Sequence, residues 1–305
     1  MIDAHVHHWE LRRFRYPWLD APEFANLRAD YRPADYRADV EGTPLEGWVH
    51  IQAEVDHAED PVAETAWVAE LADDALRNGV PGPVACVVYA DLRAPDLAAT
   101  LTRHLRHPLT RGVRQELWCD PASTRADIPR DDLLADPRWR EGYRTLGDHG
   151  LSFDVVAWPA QLPEVATVAA EAPGVAVVLD HFGMPDPAGD PGLRTWRAGV
   201  SLFAQLPHAF VKLSAISLLG LPRDERAVRS IVDELLDRFG PGRCMVGSNF
   251  PVERLAGGFS EVYRIMAASL RELSVSERAD VLGGTARRFY RTARATAPSP
   301  AGSPA

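Results

Sequence analysis

Short apolar runs alternate with longer stretches of helical spacing along most of the chain. The runs fall at Ile2–Trp9, Gly47–Glu54, Val84–Leu92, Thr110–Leu117, Leu151–Trp158, Gly174–Gly183, Ala209–Ser214 and Cys244–Pro251, and each reads as a strand. Val175–Leu179 is apolar throughout, as expected of a strand buried on both faces. Between the runs, apolar positions recur with helical period over Pro61–Asn78, Pro95–His107, Asp131–His149, Leu162–Ala172, Leu193–Leu206 and Arg223–Phe239. Two further helices, Phe259–Leu273 and Ser276–Tyr290, end the pattern. Parallel strands joined by helices need right-handed crossovers, and eight such units close into a ring. The predicted fold is therefore α/β: a single (β/α)8 TIM barrel with a long loop after strand 1 and an extra C-terminal helix.

The loop is an aromatic, proline-broken segment from Tyr16-Pro17-Trp18-Leu19 to Tyr31-Arg32-Pro33. Trp9, Tyr16 and Trp18 suit pinning this loop to the body better than lining a pocket. At the far end, residues 292–305 are rich in Ala, Pro and Ser without an apolar face and read as a disordered tail, which leaves residues 1–291 as one domain.

Polar residues break the apolar runs mainly at their C-terminal ends: His5 and His7, Gln52 and Glu54, Arg114 and Glu116, Asp154 followed by Trp158, His181, Lys212 and Ser214, and Asn249. In a parallel barrel those ends form one mouth, where the chemistry of such folds gathers. Side chains alternate along a strand, so His5 and His7 share a face. Two imidazoles at that spacing can supply two neutral nitrogen ligands, each about 2.0–2.1 Å from a metal.

Composition narrows the partners. The net charge is −10, from 33 Lys and Arg against 43 Asp and Glu, which disfavours nucleic acid. Lys212 is the sole lysine. Cys86, Cys119 and Cys244 are widely spaced, which suits a reducing cytosol better than a disulfide framework or thiolate zinc site. No signal peptide and no apolar run near the length of a membrane span is legible. The expectation is a cytoplasmic protein acting on a small molecule, with homodimer formation through exposed barrel helices left open.

The strand-end motifs carry a resemblance. His5-x-His7, Gln52-x-Glu54, Arg111-Gly-Val-Arg114-Gln, Asp180-His181-Phe-Gly and Gly247-Ser-Asn-Phe-Pro251 resemble the amidohydrolase superfamily. More narrowly, they resemble its lactonase-type branch, which contains fuconolactonases, rhamnonolactonases and 2-pyrone-4,6-dicarboxylate lactonases. The similarity runs from Ile2 to Tyr290. It implies that His5, His7 and His181 hold one divalent metal, zinc foremost, or polarise the scissile carbonyl directly. It further implies that Arg114 contacts a substrate carboxylate or hydroxyl, for which its planar fork is suited. Gln52, Glu116, Asp154, Trp158 and Lys212 complete the expected substrate contacts.

The sequence departs from that pattern at Asn249, where the superfamily carries an Asp that takes a proton from the attacking water. A carboxamide cannot be a general base. Strand four also lacks a metal-bridging lysine, which disfavours a binuclear centre. Two mechanisms follow. A zinc on His5, His7 and His181 lowers the pKa of its water to about 7, or the site works without metal and Glu54, Glu116 or Asp154 takes the proton. The expected activity is hydrolysis of a lactone or related cyclic ester of a small sugar acid or carboxylic acid. The alternatives kept open by Asn249 are a decarboxylase-, hydratase- or cyclase-like enzyme, or a ligand-binding descendant.

Overall fold

A computed structural model of the chain describes residues 1–119, 132–185, 190–216 and 225–292. Eight strands, β1 (Ile2–Val6), β2 (Gly47–Ile51), β3 (Pro83–Val88), β4 (Thr110–Arg114), β5 (Ser152–Val155), β6 (Val177–Leu179), β7 (Ala209–Leu213) and β8 (Cys244–Val246), form one parallel sheet in chain order. The ring closes just past the strand ends. The His7 amide donates to the Phe250 carbonyl and the Asn249 amide to the His5 carbonyl, both at 2.8 Å.

Helices α1 (Pro33–Asp39), α2 (Pro61–Arg77), α3 (Leu97–His104), α4 (Pro137–Asp148), α5 (Leu162–Glu171), α6 (Asp190–Ala204), α7 (Glu225–Phe239) and α8 (Phe259–Ser269) lie in the connections between and after the strands. The starts of α2 and α4 follow local chemistry: Asp60 and Asp136 each accept a backbone N–H two residues on, and a proline follows each cap. After α8 come α9 (Val275–Ala279), a wider turn, and α10 (Thr285–Phe289).

Two cores result. The larger lies between sheet and helices. The smaller fills the barrel, where Ile2, Ala4, Val49, Ile51, Ala85, Val87, Val178 and Met245 meet Ala286, Phe289 and Tyr290 of the last helical segment. The C-terminal helix thus plugs the barrel floor, leaving the other end for polar groups.

The structure differs from the sequence pattern mainly at element ends, where every strand stops short of its expected run. Strands 1 and 6 end at Val6 and Leu179, before His7 and Asp180, because the chain turns away once its polar tip begins. The single helix expected over Ser276–Tyr290 is interrupted at Asp280–Gly284. There a Cβ on Gly283 would stand 2.9 Å from the Ile2 nitrogen, so the glycine permits a close approach to β1. The loop after β1 contains two short 3-10 turns, Pro17–Asp20 and Pro22–Leu27, and its aromatic residues do pin it. The Trp9 indole donates to the Ala29 carbonyl (2.7 Å) and that of Trp18 to the Ala53 carbonyl (2.8 Å). The expected tail lies, apart from Thr292, outside the described residues, as do the expected first residues of two helices, Asp131 and Arg223.

Candidate active site

The pairing register of β1 slips between Asp3 and Val6. Ile2 and Ala4 therefore face the barrel interior, as do His5 and His7 beyond them, while Val6 joins the outer core. Asp3 holds this irregularity. Its Oδ1 accepts the amides of His5 (3.0 Å) and Ser248 (2.8 Å), and its Oδ2 accepts the Tyr36 hydroxyl (2.6 Å). Gly247 makes room for it, since a Cβ there would lie 2.7 Å from His5 Cβ.

His5 meets both of the other histidines. His5 and His7 ring centroids are 4.9 Å apart, those of His5 and His181 4.6 Å. Each ring is tied through Nδ1. His7 Nδ1 donates to the Ile51 carbonyl (2.9 Å), His181 Nδ1 bonds Ser214 Oγ (2.9 Å), and His5 Nδ1 faces Asp180 Oδ1 (3.5 Å) and Lys212 Nζ (3.2 Å). The remaining donor atom of each ring is Nε2. The Nε2 atoms of His5 and His7 stand 3.1 Å apart, close to the ~3.3 Å that separates two ligands at a tetrahedral angle on bonds of about 2.05 Å. Burial, foremost, drives the pKa of all three below the usual histidine range, with Lys212 adding to the effect at His5 and Arg114 at His7. His5 and His7 fall well below it, and His181 drops to about 4. Neutral imidazoles are what a divalent cation requires; the second nitrogens of His7 and His181 are fixed by a carbonyl and a hydroxyl, while that of His5 lies between the Asp180 carboxylate and the nearer Lys212 ammonium. The ligand atoms that lie within 4.8 Å of one another are those of His5, Asp180 and His181, with His7 joined to this group through His5 Nε2.

Behind the histidines lies a buried ion network. Lys212 Nζ sits 2.5 Å from Asp154 Oδ2 and 2.9 Å from Asp180 Oδ1, and all three side chains are inaccessible to solvent. Burial would raise Asp180, but Lys212 and His5 outweigh it and hold the carboxyl well below the ordinary range. Asp154, where burial prevails over Lys212, is pushed up to about 6. Arg114 donates to the Gln52 carbonyl (2.9 Å) and pairs with Glu116 (3.5 Å) and Asp180 (4.0 Å), which fixes its guanidinium.

Glu54, just past β2, accepts a hydrogen bond from the Gln52 carboxamide, while Gln52 Oε1 accepts the Glu54 amide (2.7 Å). His57 Nε2 is 3.0 Å from Glu54 Oε2, and its ring stacks on Tyr89 at 4.0 Å. Burial acts against both charges, but the pair outweighs it, so Glu54 is lowered and His57 raised. This is an ion pair at the rim with a half-exposed imidazole.

Backbone conformation marks the same end of the barrel. Glu54, His181, Ala215 and Asn249 have φ of 54°, 54°, 61° and 60°, each shortly past the end of β2, β6, β7 or β8. Such non-glycine residues cost on the order of 1–3 kcal/mol each and cluster where function demands them. Asparagine tolerates this conformation better than most residues, which gives Asn249 a structural reason. Farther out, the rings of Trp118 and Trp158 lie 5.4 Å apart, with Trp158 39% exposed.

The structure thus gathers His5, His7 and His181, with Arg114, Glu116 and the Gln52–Glu54 pair beside them. Asp154 and Lys212 are fully enclosed, with their polar contacts made to each other, Asp180, His5 and Tyr290. Sequence reasoning gave no role to Asp3, His57, Asp180 or Tyr290. Asp180 carried a signal, as a carboxylate ending an otherwise apolar buried run, and so did Asp3 within β1. No hydrophobic periodicity marks His57, although its partner Glu54 is only three residues before it, and Tyr290 meets Asp154 across 136 residues.

The amidohydrolase family profile matches residues 2–292. The chain is 34% identical over 301 residues to an L-fucono-1,5-lactonase of Burkholderia multivorans, a match that covers 95% of each. It is 29% identical over 298 residues to the uncharacterized protein y4mH of Sinorhizobium fredii, covering 95% of this chain and 98% of that one. A crystal structure of an amidohydrolase from Burkholderia multivorans with bound zinc aligns with TM-score 0.81 at 32% identity, over 96% of this chain and 99% of that one. Among the described residues no helix is long and apolar enough to cross a membrane.

Proposed function

We propose, on the premise that this chain belongs to the amidohydrolase family, that it opens the lactone ring of a small sugar acid by attack of water on the carbonyl carbon. The acyl C–O bond breaks, the ring oxygen leaves as a hydroxyl after taking up a proton, and the product is a hydroxy acid that releases one proton near neutral pH. The similarity to a protein named L-fucono-1,5-lactonase supports this substrate class. The observation that carries the chemistry is the trio of histidines tied through Nδ1 beside Arg114.

In this reading His5, His7 and His181 would hold one divalent ion, zinc, with Asp180 orienting His5. A divalent ion bound there polarises a carbonyl and lowers the pKa of water to about 7. Glu54 accepts the proton, because Asn249 cannot, Asp154 is enclosed and Glu116 is buried against Arg114. Its lowered pKa keeps it ionised at neutral pH, and the pairing with His57 that lowers it also weakens it as a base. Arg114, already locked by Gln52, Glu116 and Asp180, directs its remaining N–H groups at substrate oxygens. Trp118 and Trp158 offer an apolar wall to the C–H face of a sugar ring.

The test is an indicator-dye assay of proton release with L-fucono-1,5-lactone, other aldonolactones and 2-pyrone-4,6-dicarboxylate. The reading predicts turnover of at least one aldonolactone, lost in His181→Ala. It is overturned if every lactone remains intact. Carbon dioxide release from a carboxylated substrate in that case would favour the decarboxylase-like course that Asn249 keeps open.

A further inference from the structure

Tyr290 directly follows α10, yet its side chain reaches the site. The residue is fully buried, its ring packs edge-on against Phe289 (4.7 Å), and the Lys212 ammonium lies 5.7 Å over its face. Its hydroxyl donates to Asp154 Oδ2 at 2.7 Å. The same Oδ2 lies 2.5 Å from Lys212 Nζ, which in turn is 2.9 Å from Asp180 Oδ1 and 3.2 Å from His5 Nδ1. A single line of contacts therefore runs from the barrel floor through Asp154 and Lys212 to His5. A phenylalanine would fill the floor equally well. What the hydroxyl adds is an anchor for Asp154, whose other oxygen, Oδ1, is buried without a partner.

We infer that Tyr290 is a positioning residue of the active site, acting through Asp154 and Lys212 on the tautomer of His5. His5 can ligate through Nε2 only when its proton sits on Nδ1, facing Asp180. An ammonium that donates to Nδ1 forces the proton onto Nε2 and abolishes ligation. The anchored Asp154 carboxylate draws the Lys212 protons toward itself. Without the Tyr290 hydroxyl, Asp154 has only the lysine to hold it and can turn, and the ammonium leans further on His5 Nδ1. The inference rests on the reading of His5 as an ion-holding residue.

The experiment uses the full chain stripped with chelator, with zinc affinity read by competition against a chromophoric chelator. Variants are Tyr290→Phe, Asp154→Asn and the double variant. Outer partners of metal-bound histidines are worth about 10–100-fold in affinity. Tyr290→Phe is expected to weaken zinc binding about tenfold, toward the low end of that range. Asp154→Asn should weaken it at least as much, and the double variant no more than Asp154→Asn alone, because both act through one carboxylate. Unchanged zinc affinity in a folded Tyr290→Phe protein, or full additivity in the double variant, overturns the inference and leaves Tyr290 a floor plug. Should Tyr290→Phe not fold, Asp154→Asn alone decides: unchanged affinity there overturns the inference equally. A wild-type protein that takes up no zinc refutes the ion-holding reading itself, which is a different outcome.

Discussion

Replacing Lys212 with methionine keeps the length and apolar stem of the side chain but removes the only cation among the described residues within hydrogen-bonding distance of Asp154. It also removes the nearest cation to Asp180, leaving Arg114 at 4.0 Å. Both carboxyl groups are inaccessible to water, so the variant must bury uncompensated charge or protonate it. Removing one partner of a buried ion pair costs about 3–5 kcal/mol, and here two carboxylates lose it at once. The upper half of that range is expected. For a domain of this size each kcal/mol moves the thermal midpoint by about 2–4 °C, so the shift should be about 8–20 °C. Urea unfolding at pH 7.5, followed by far-UV circular dichroism, measures the loss directly. Adding Asp154→Asn should restore part of it, since one of the two stranded charges is then gone. A Lys212→Met protein that loses less than about 1 kcal/mol, the worth of an exposed pair, would refute the account of the network as a buried charge hub.

Three further outcomes follow from the same geometry. His181 titrates near 4 in the folded chain and near 6.5 unfolded, so the unfolded state binds the extra proton below pH 6.5. That stability is whole above pH 6.5 and is lost as pH falls to about 4, about 3 kcal/mol for His181 alone, with His5 and His7 acting in the same sense. Asp154, raised to about 6, opposes this only in part, so a denaturation midpoint that fails to drop between pH 7 and 5 would contradict neutral histidines. Arg114→Lys removes the fork that bonds Gln52 and pairs with Glu116 and Asp180, and should cut kcat/KM for a lactone by about 10–100-fold, corresponding to a bidentate charged contact of about 1.5–3 kcal/mol. A change under twofold would remove Arg114 from the site. Asn249→Ala should lower stability by about 1 kcal/mol and Asn249→Gly by less, because the position is left-handed; equal losses in a melting series would show that φ is not the reason for the asparagine.

Much of the fold could be read from the chain because parallel strands buried on both faces must be apolar, and Val175–Leu179 is. The mouth was legible for a related reason: in such strands a polar residue is out of place unless it stands at the tip. The same rule hid the division of labour at the mouth. Asp154 and Lys212 share the strand-end polarity of Arg114, yet they turn to each other and to Asp180, and no periodicity distinguishes a residue facing substrate from one supporting its neighbour. Strict alternation would set Val6 on the face of Ala4, and it does not lie there because the slip in β1 depends on Asp3 being held by Tyr36 and Ser248, contacts made across 33 and 245 residues. The break at Asp280–Gly284 was foreshadowed only by its glycine pair, since the β1 backbone that needs the space comes from the other end of the chain.

The central claim is that the Nε2 atoms of His5, His7 and His181 form one cradle for a divalent cation. Crystals grown with zinc and measured on both sides of its absorption edge test it most directly. The account predicts an anomalous peak about 2.0–2.1 Å from all three Nε2 atoms. A peak bound elsewhere, or none beside these rings at full zinc loading, would contradict it.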